Sequence, residues 1–196
     1  MQDFEIHKPT IDDLNIGTEI EHKFSNFAYQ LEHGKDINGH WLQIVKLNVP
    51  KNKYDRAIYE VDFGIQEDGK AIGYIDLEVK ISWNNDIWPY SKTNIPLYPM
   101  TQWKNGSFNG NYTKKLQRFS EKPDLSFWIA VRSDWGMLWI VWFKYLIEQG
   151  KRTLQPTRYS PTPLPIIEVP NQYCTLIDNA EDFTRYIIDH YKGVEW

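Results

Sequence analysis

Residues 75–81, Ile-Asp-Leu-Glu-Val-Lys-Ile, alternate strictly between apolar and charged side chains, and no other stretch restricts the fold as tightly. In a β-strand successive side chains point to opposite faces, and same-face residues stand about 6.6 Å apart at a rise of ~3.3 Å per residue. Ile75, Leu77, Val79 and Ile81 therefore form an apolar face, while Asp76, Glu78 and Lys80 share the other. Two readings of the charged face are open. Either it is the wet side of a half-buried edge strand, or two carboxylates and an ammonium are gathered there to hold a divalent cation and activate a water.

The preceding segment, residues 57–65, alternates as well, setting Tyr59, Val61, Phe63 and Ile65 against Glu60, Asp62 and Gly64. Gln66-Glu67-Asp68-Gly69-Lys70 then reads as a hairpin turn in which Gly69 supplies a positive φ. A bulged turn with Gln66 facing Lys70 puts Asp62 opposite Tyr74 and Glu60 opposite Asp76. A plain two-residue Asp-Gly turn slips the pairing by one and sets Asp62 against Ile75, mixing charge with the apolar face. The pattern favours the bulged turn. Carboxylates gathered on one patch repel unless water, protons or a cation relieve them.

Asp62, followed fifteen residues later by Glu78-Val79-Lys80, resembles the PD-(D/E)xK nuclease superfamily, which includes many restriction endonucleases and archaeal Holliday junction resolvases. Gly17-Thr-Glu-Ile-Glu21, opening an amphipathic helix, is similar to the Gly-x-x-x-Glu of that family's first helix. In this helix Ile16, Ile20, Phe24, Phe27 and Leu31 form the apolar stripe. Glu21 borders the stripe; Glu19, Lys23, Asn26 and Gln30 lie opposite. The likeness covers roughly residues 15–82, with a fainter echo to residue 142. Val61 stands where the family has Pro, so Glu60 and Asp55 stay open as alternatives to Asp62.

The resemblance implies an α/β fold with a restriction endonuclease-like core, a central mixed sheet flanked by helices. It implies Mg²⁺ or Mn²⁺ held by Asp62 and Glu78, with Glu21 completing the shell and Asp76 as a further ligand. Lys80 would polarise the attacking water or steady the charge that grows on phosphate oxygens. The implied activity is endonucleolytic hydrolysis of phosphodiesters, DNA being the first candidate and RNA not excluded. A homodimer would suit the cutting of two strands.

The chain has 196 residues and a formal net charge of -4, which gives no bulk electrostatic grip on nucleic acid. A local one is available in residues 104–122, where Lys104, Lys114, Lys115, Arg118 and Lys122 face a single acid, Glu121. Much of this stretch reads as loop, with a short helix near 112–119, and an ordinary solvated loop is its plain alternative. A single cysteine, Cys174, leaves no internal disulfide and suits a cytoplasmic protein, with virus or mobile-element origin open. The five histidines lack zinc-ligand spacing. No apolar run nears the ~20 residues of a membrane span, and the N-terminus does not read as a signal peptide.

One domain over 1–196 is expected, with its core at roughly 11–148 and residues 149–196 as an extension. Residues 41–49 read as a strand, 125–131 and 137–142 as two more around a turn at 133–136, and 181–192 as a final helix. Residues 83–103, with Trp83, Trp88, Tyr90, Tyr98 and Trp103 among prolines, read as an ordered loop whose rings pack on the sheet rather than stack on bases. Residues 153–170 read as an extended surface wrap. Two rival functions belong to other classes. One is a non-catalytic nucleic-acid-binding or structural interaction protein; the other is a carbohydrate-binding module, which requires an all-β fold and an exposed row of rings.

Overall fold

The computed structural model describes residues 11–32, 36–37, 40–47, 61–95, 114–157, 160–178 and 180–192. The first helix, α1 (Ile11–Glu32), is followed by strands β1 (Asp36–Ile37), β2 (His40–Lys46), β3 (Phe63–Glu67), β4 (Lys70–Lys80) and β5 (Lys92–Ile95). Helix α2 (Lys114–Glu121) leads to β6 (Phe127–Arg132) and β7 (Leu138–Trp142), then α3 (Phe143–Gln149). The chain continues through β8 (Lys151–Thr157), β9 (Ser160–Pro170), β10 (Cys174–Ile177) and α4 (Ala180–Lys192).

The main sheet runs β1-β2-β3-β4-β6-β7-β10, and a smaller one runs β5-β9-β8. Neighbours in the main sheet are antiparallel except β4 and β6, which are parallel. A parallel pair needs a crossover, and the segment holding β5 and α2 supplies it. The fold is α/β with a mixed sheet, and β4 lies in its interior.

Both faces of this sheet are covered. On one, Ile20 and Phe24 of α1 and Phe183, Ile187 and Tyr191 of α4 pack with Phe63, Ile65, Ile75, Phe127, Ile129 and Ile140. On the other, Phe119 of α2, Phe143 and Leu146 of α3, Trp83, Trp88 and Ile167 of β9 pack with Tyr74, Trp128, Trp139 and Val141. The apolar stripe of α1 is inward at Ile20 and Phe24 as its 3.6-residue period requires; the side chains of Phe27 and Leu31 lie outside the described residues.

The β3–β4 hairpin corrects the expected register. Asp68 (φ 47°) and Gly69 (φ 80°) form a tight two-residue turn, with Glu67 facing Lys70 instead of Gln66. Positive φ at both positions matches the twist of the flanking strands, which an Asp-Gly pair provides. The compensating bulge lies inside the strand pair: the register shifts between Ile65 and Gln66, so that Phe63 faces Ile75. Parity is thereby restored, and the apolar residues of both strands meet on the α1 side. Gly73 sits within this irregularity because a Cβ there would lie 2.0 Å from the Leu125 carbonyl oxygen.

Other differences are of extent and partnership. Residues 153–170 pair as the β8–β9 hairpin instead of wrapping the surface alone. The segment placed outside the core also enters it: β10 pairs with β7, and Ile177, Phe183, Ile187 and Tyr191 are buried in the main core. Helix α3 and β5 had no counterpart in the sequence reading. Cys174 is half-buried beside Thr93, and burial pushes its thiol pKa up, as for an unreactive cysteine. No helix among the described residues is long and apolar enough to cross a membrane.

Candidate functional site

Strand β4 sorts its side chains as the alternation demands. Ile75, Leu77 and Val79 join the core under α1, while Ile81 falls past the strand end and is exposed. Tyr74, Asp76, Glu78 and Lys80 occupy the opposite face. The edge-strand reading fails here, because β4 is flanked by β3 and β6 and Asp76 is only 3% exposed. Acids are seldom kept at such a position, since desolvating a carboxylate is costly without compensation.

Asp62 stands alongside this row. Its N–H donates to the Ile75 carbonyl at 3.0 Å, and its Oδ2 accepts the Leu77 N–H at 2.7 Å. The two bonds straddle Asp76, so Asp62 is pinned to β4 at that level. One carboxylate oxygen is thereby committed to the backbone. Two residues on from Asp76, Lys80 Nζ donates to Glu78 Oε1 at 2.5 Å. The ammonium also stands 5.6 Å from the centre of the Trp128 ring, and Trp128 faces Asp76 across the parallel β4–β6 pair.

Glu21 is placed elsewhere. Its Oε2 accepts from Lys46 Nζ at 2.7 Å, and Lys46 faces Phe63, whose side chain belongs to the core under α1. Residue parity therefore sets Glu21 on the sheet face opposite Asp76, Glu78 and Lys80. Glu60, Asp55 and Lys104 lie outside the described residues. Lys114 and Lys115 fall in α2, with side chains outside the described set. Arg118, on the same helix, is exposed; it pairs with Glu121 at 3.7 Å and holds its guanidinium 5.8 Å from the centre of the Tyr74 ring.

The aromatic loop after β4 packs on the sheet, as its expected role required. Trp88 stacks on Trp139 with ring centres 4.9 Å apart, Trp83 meets Trp88 edge-on at 5.2 Å, and both are buried. Arg132 fastens the loop from β6: Nη1 donates to the Asn85 carbonyl at 2.9 Å and to Asp86 at 2.8 Å, while Nε donates to Asp134 at 2.7 Å. The Arg132 bond holds the Asp134 carboxyl below its ordinary pKa. Tyr98 and Trp103 lie outside the described residues. Among the described residues α-helices accompany the sheets, unlike the all-β fold that a sugar-binding module needs, and Trp83, Trp88, Trp128 and Trp139 are buried.

The donors beside β4 are carboxylate oxygens, the ligand type that Mg²⁺ and Mn²⁺ take, so they fit such a cation in kind. Among the described residues no three His, Cys, Asp or Glu side chains converge as a ready-made metal cage. Mg²⁺ is commonly held by one or two carboxylates, with waters and substrate phosphates filling the remaining positions. No family model, curated protein or solved structure matches the chain.

Proposed function

We propose that the chain is a Mg²⁺- or Mn²⁺-dependent endonuclease with a restriction endonuclease-like core, acting first on DNA. The observation that carries this is the placement of Asp76, Glu78 and Lys80 on one face of an interior strand, with Asp62 fixed beside them. An interior strand would bury apolar side chains at lower desolvation cost than such a row. A reaction that needs oxygen ligands and a positive charge at one point gives the row a use.

Asp62 and Glu78 would hold the cation, with Asp76 within the same row. Bound there, the cation supplies Lewis-acid polarisation of the phosphoryl oxygens and charge neutralisation at the scissile phosphate. Lys80 contributes a second positive charge on the same face. Glu78 and the Trp128 ring hold its ammonium, which limits the side-chain entropy lost when a substrate oxygen replaces one partner. The basic residues of α2 contact the nucleic-acid backbone, and two copies acting together would cut both strands. Glu21 has no part in the site in the arrangement observed, because Lys46 holds it beneath the other sheet face.

A second reading draws support from the same geometry. The Glu78–Lys80 pair and the Asp62–Leu77 bond satisfy these groups internally, as a non-catalytic nucleic-acid-binding or structural interaction protein also would. The test is incubation of the purified protein with supercoiled plasmid, single-stranded DNA, branched DNA and RNA, each with Mg²⁺, Mn²⁺ or EDTA. Cleavage that requires the cation is expected for at least one substrate. Intact substrates under every metal condition would leave the interaction protein as the better description.

A further inference from the structure

Two cations on the β4 face rest on buried aromatic rings. The Arg118 guanidinium lies 5.8 Å from the centre of the Tyr74 ring, and Lys80 Nζ lies 5.6 Å from that of Trp128. Tyr74 is 7% exposed and Trp128 1%. The backbone beneath Tyr74 is held in place. The Tyr74 N–H donates to Ser126 Oγ at 3.1 Å, and Ser126 Oγ donates to the Lys122 carbonyl at 2.6 Å, tying β4 to the end of α2. Trp128 is level with Asp76, two residues beyond Tyr74, so the seats are about 6.6 Å apart along the strand and one strand, about 4.8 Å, apart across it. Asp76 is level with the second seat, and Glu78 accepts from the ammonium held there.

We infer that Tyr74 and Trp128 are positioning residues that seat Arg118 and Lys80 as a two-pronged grip on a nucleic-acid backbone, both cations beside the acidic row. The grip deepens the proposed nuclease and rests on that reading for its substrate. A cation over an aromatic face is held by the ring quadrupole, and Lys80 also donates to Glu78, a partner that a phosphate oxygen would replace. A guanidinium suits the bidentate geometry of phosphate. The contact of Arg118 with Glu121 is an exposed pair between neighbouring turns of one helix, the kind that solvent and salt weaken most. Carboxylates on this face repel a phosphodiester by themselves, so cations beside them let the substrate approach a face that the net charge of -4 would otherwise discourage.

The experiment is fluorescence anisotropy of labelled single-stranded and duplex DNA, titrated with the full chain in Ca²⁺ at several salt concentrations. Arg118→Gln should weaken binding several-fold and reduce the steepness of log K against log salt by about one. Tyr74→Leu should do the same, and Tyr74→Phe, which keeps the ring, should bind as the parent chain does. Circular dichroism confirms that each variant is folded; Arg118 is exposed, so its substitution reads binding even if the buried Tyr74→Leu variant does not fold. An unchanged affinity and slope for Arg118→Gln overturns the grip, as does Tyr74→Phe losing as much as Tyr74→Leu or a parent chain that binds neither DNA. Cleavage measured in parallel separates the two ideas. Binding that follows the expected pattern without any cleavage in Mg²⁺ keeps the grip and removes the nuclease, whereas cleavage with an unaffected Arg118→Gln keeps the nuclease and removes the grip.

Discussion

A carboxylate at 3% exposure on an interior strand, as at Asp76, is a residue that packing alone would replace with valine or isoleucine. Its neighbours show where single atoms matter most. Ser126 Oγ accepts the buried Tyr74 N–H, so Ser126→Ala should cost about 1–3 kcal/mol in urea unfolding by leaving that donor without a partner. Gly73→Ala should cost a comparable amount, about 1–3 kcal/mol, since a Cβ 2.0 Å from a carbonyl oxygen forces β4 away from the turn at Leu125. His190 carries a pH dependence. It lies among Tyr186, Trp142 and Phe127, its Nδ1 bonds the Tyr186 carbonyl, and burial lowers its pKa below the ordinary value of 6.5. The folded state then binds fewer protons than the unfolded one, so stability is full above pH 6.5 and falls as pH drops through and below that value. Thermal melts between pH 7.5 and pH 5 should show the decline, and His190→Phe should flatten it; equal slopes in the two proteins would remove His190 as the cause. At this scale the sequence revealed which residues share the charged face, because parity is a local property. It could not reveal that Asp62 spends one oxygen on the Leu77 N–H or that Glu21 is engaged by Lys46, since both depend on partners 15 and 25 residues away.

Helices and strands were legible in proportion to how local their causes are. The apolar runs of β6 and β7 and the helical pattern of 181–192 gave these elements within two residues of their observed ends, whereas α1 begins at Ile11, a turn and a half before the Gly17 read as opening it. The hairpin was harder. Asp68-Gly69 satisfies a tight turn by local chemistry, yet that turn alone would set Asp62 against Ile75. The bulge between Ile65 and Gln66 restores parity, and it is specified by burial of Phe63, Ile65 and Ile75 under α1. Gly69→Ala therefore tests the turn separately from the bulge. At φ 80° it should lower stability by about 1 kcal/mol without moving the register. Chemical-shift changes confined to the turn would agree, whereas changes spread along the whole of β4 would mean that the turn, not the core, sets the pairing. The β5-β9-β8 sheet escaped the sequence reading because prolines in 161–170 weaken any strand signal, and β10 escaped because four residues carry too little pattern.

In the whole molecule, helices α1 and α4 cover one face of the main sheet, and α2, α3 and the smaller sheet cover the other. The charged row of β4 lies on the second face, near α2 with its run of basic residues. An acidic chain with a basic helix beside an acidic row distributes charge in a way that suits the proposed phosphodiesterase, and this distribution was visible in the sequence as two separate clusters. Their adjacency was not, because it depends on the crossover that makes β4 and β6 parallel neighbours. The decisive measurement is the Mg²⁺-dependent cleavage rate of Glu78→Gln beside that of the parent chain, with folding checked by circular dichroism. A hydrolytic β4 face predicts a loss of about a hundredfold or more with the fold intact. Equal rates in the two proteins, or no metal-dependent cleavage by the parent, would contradict it.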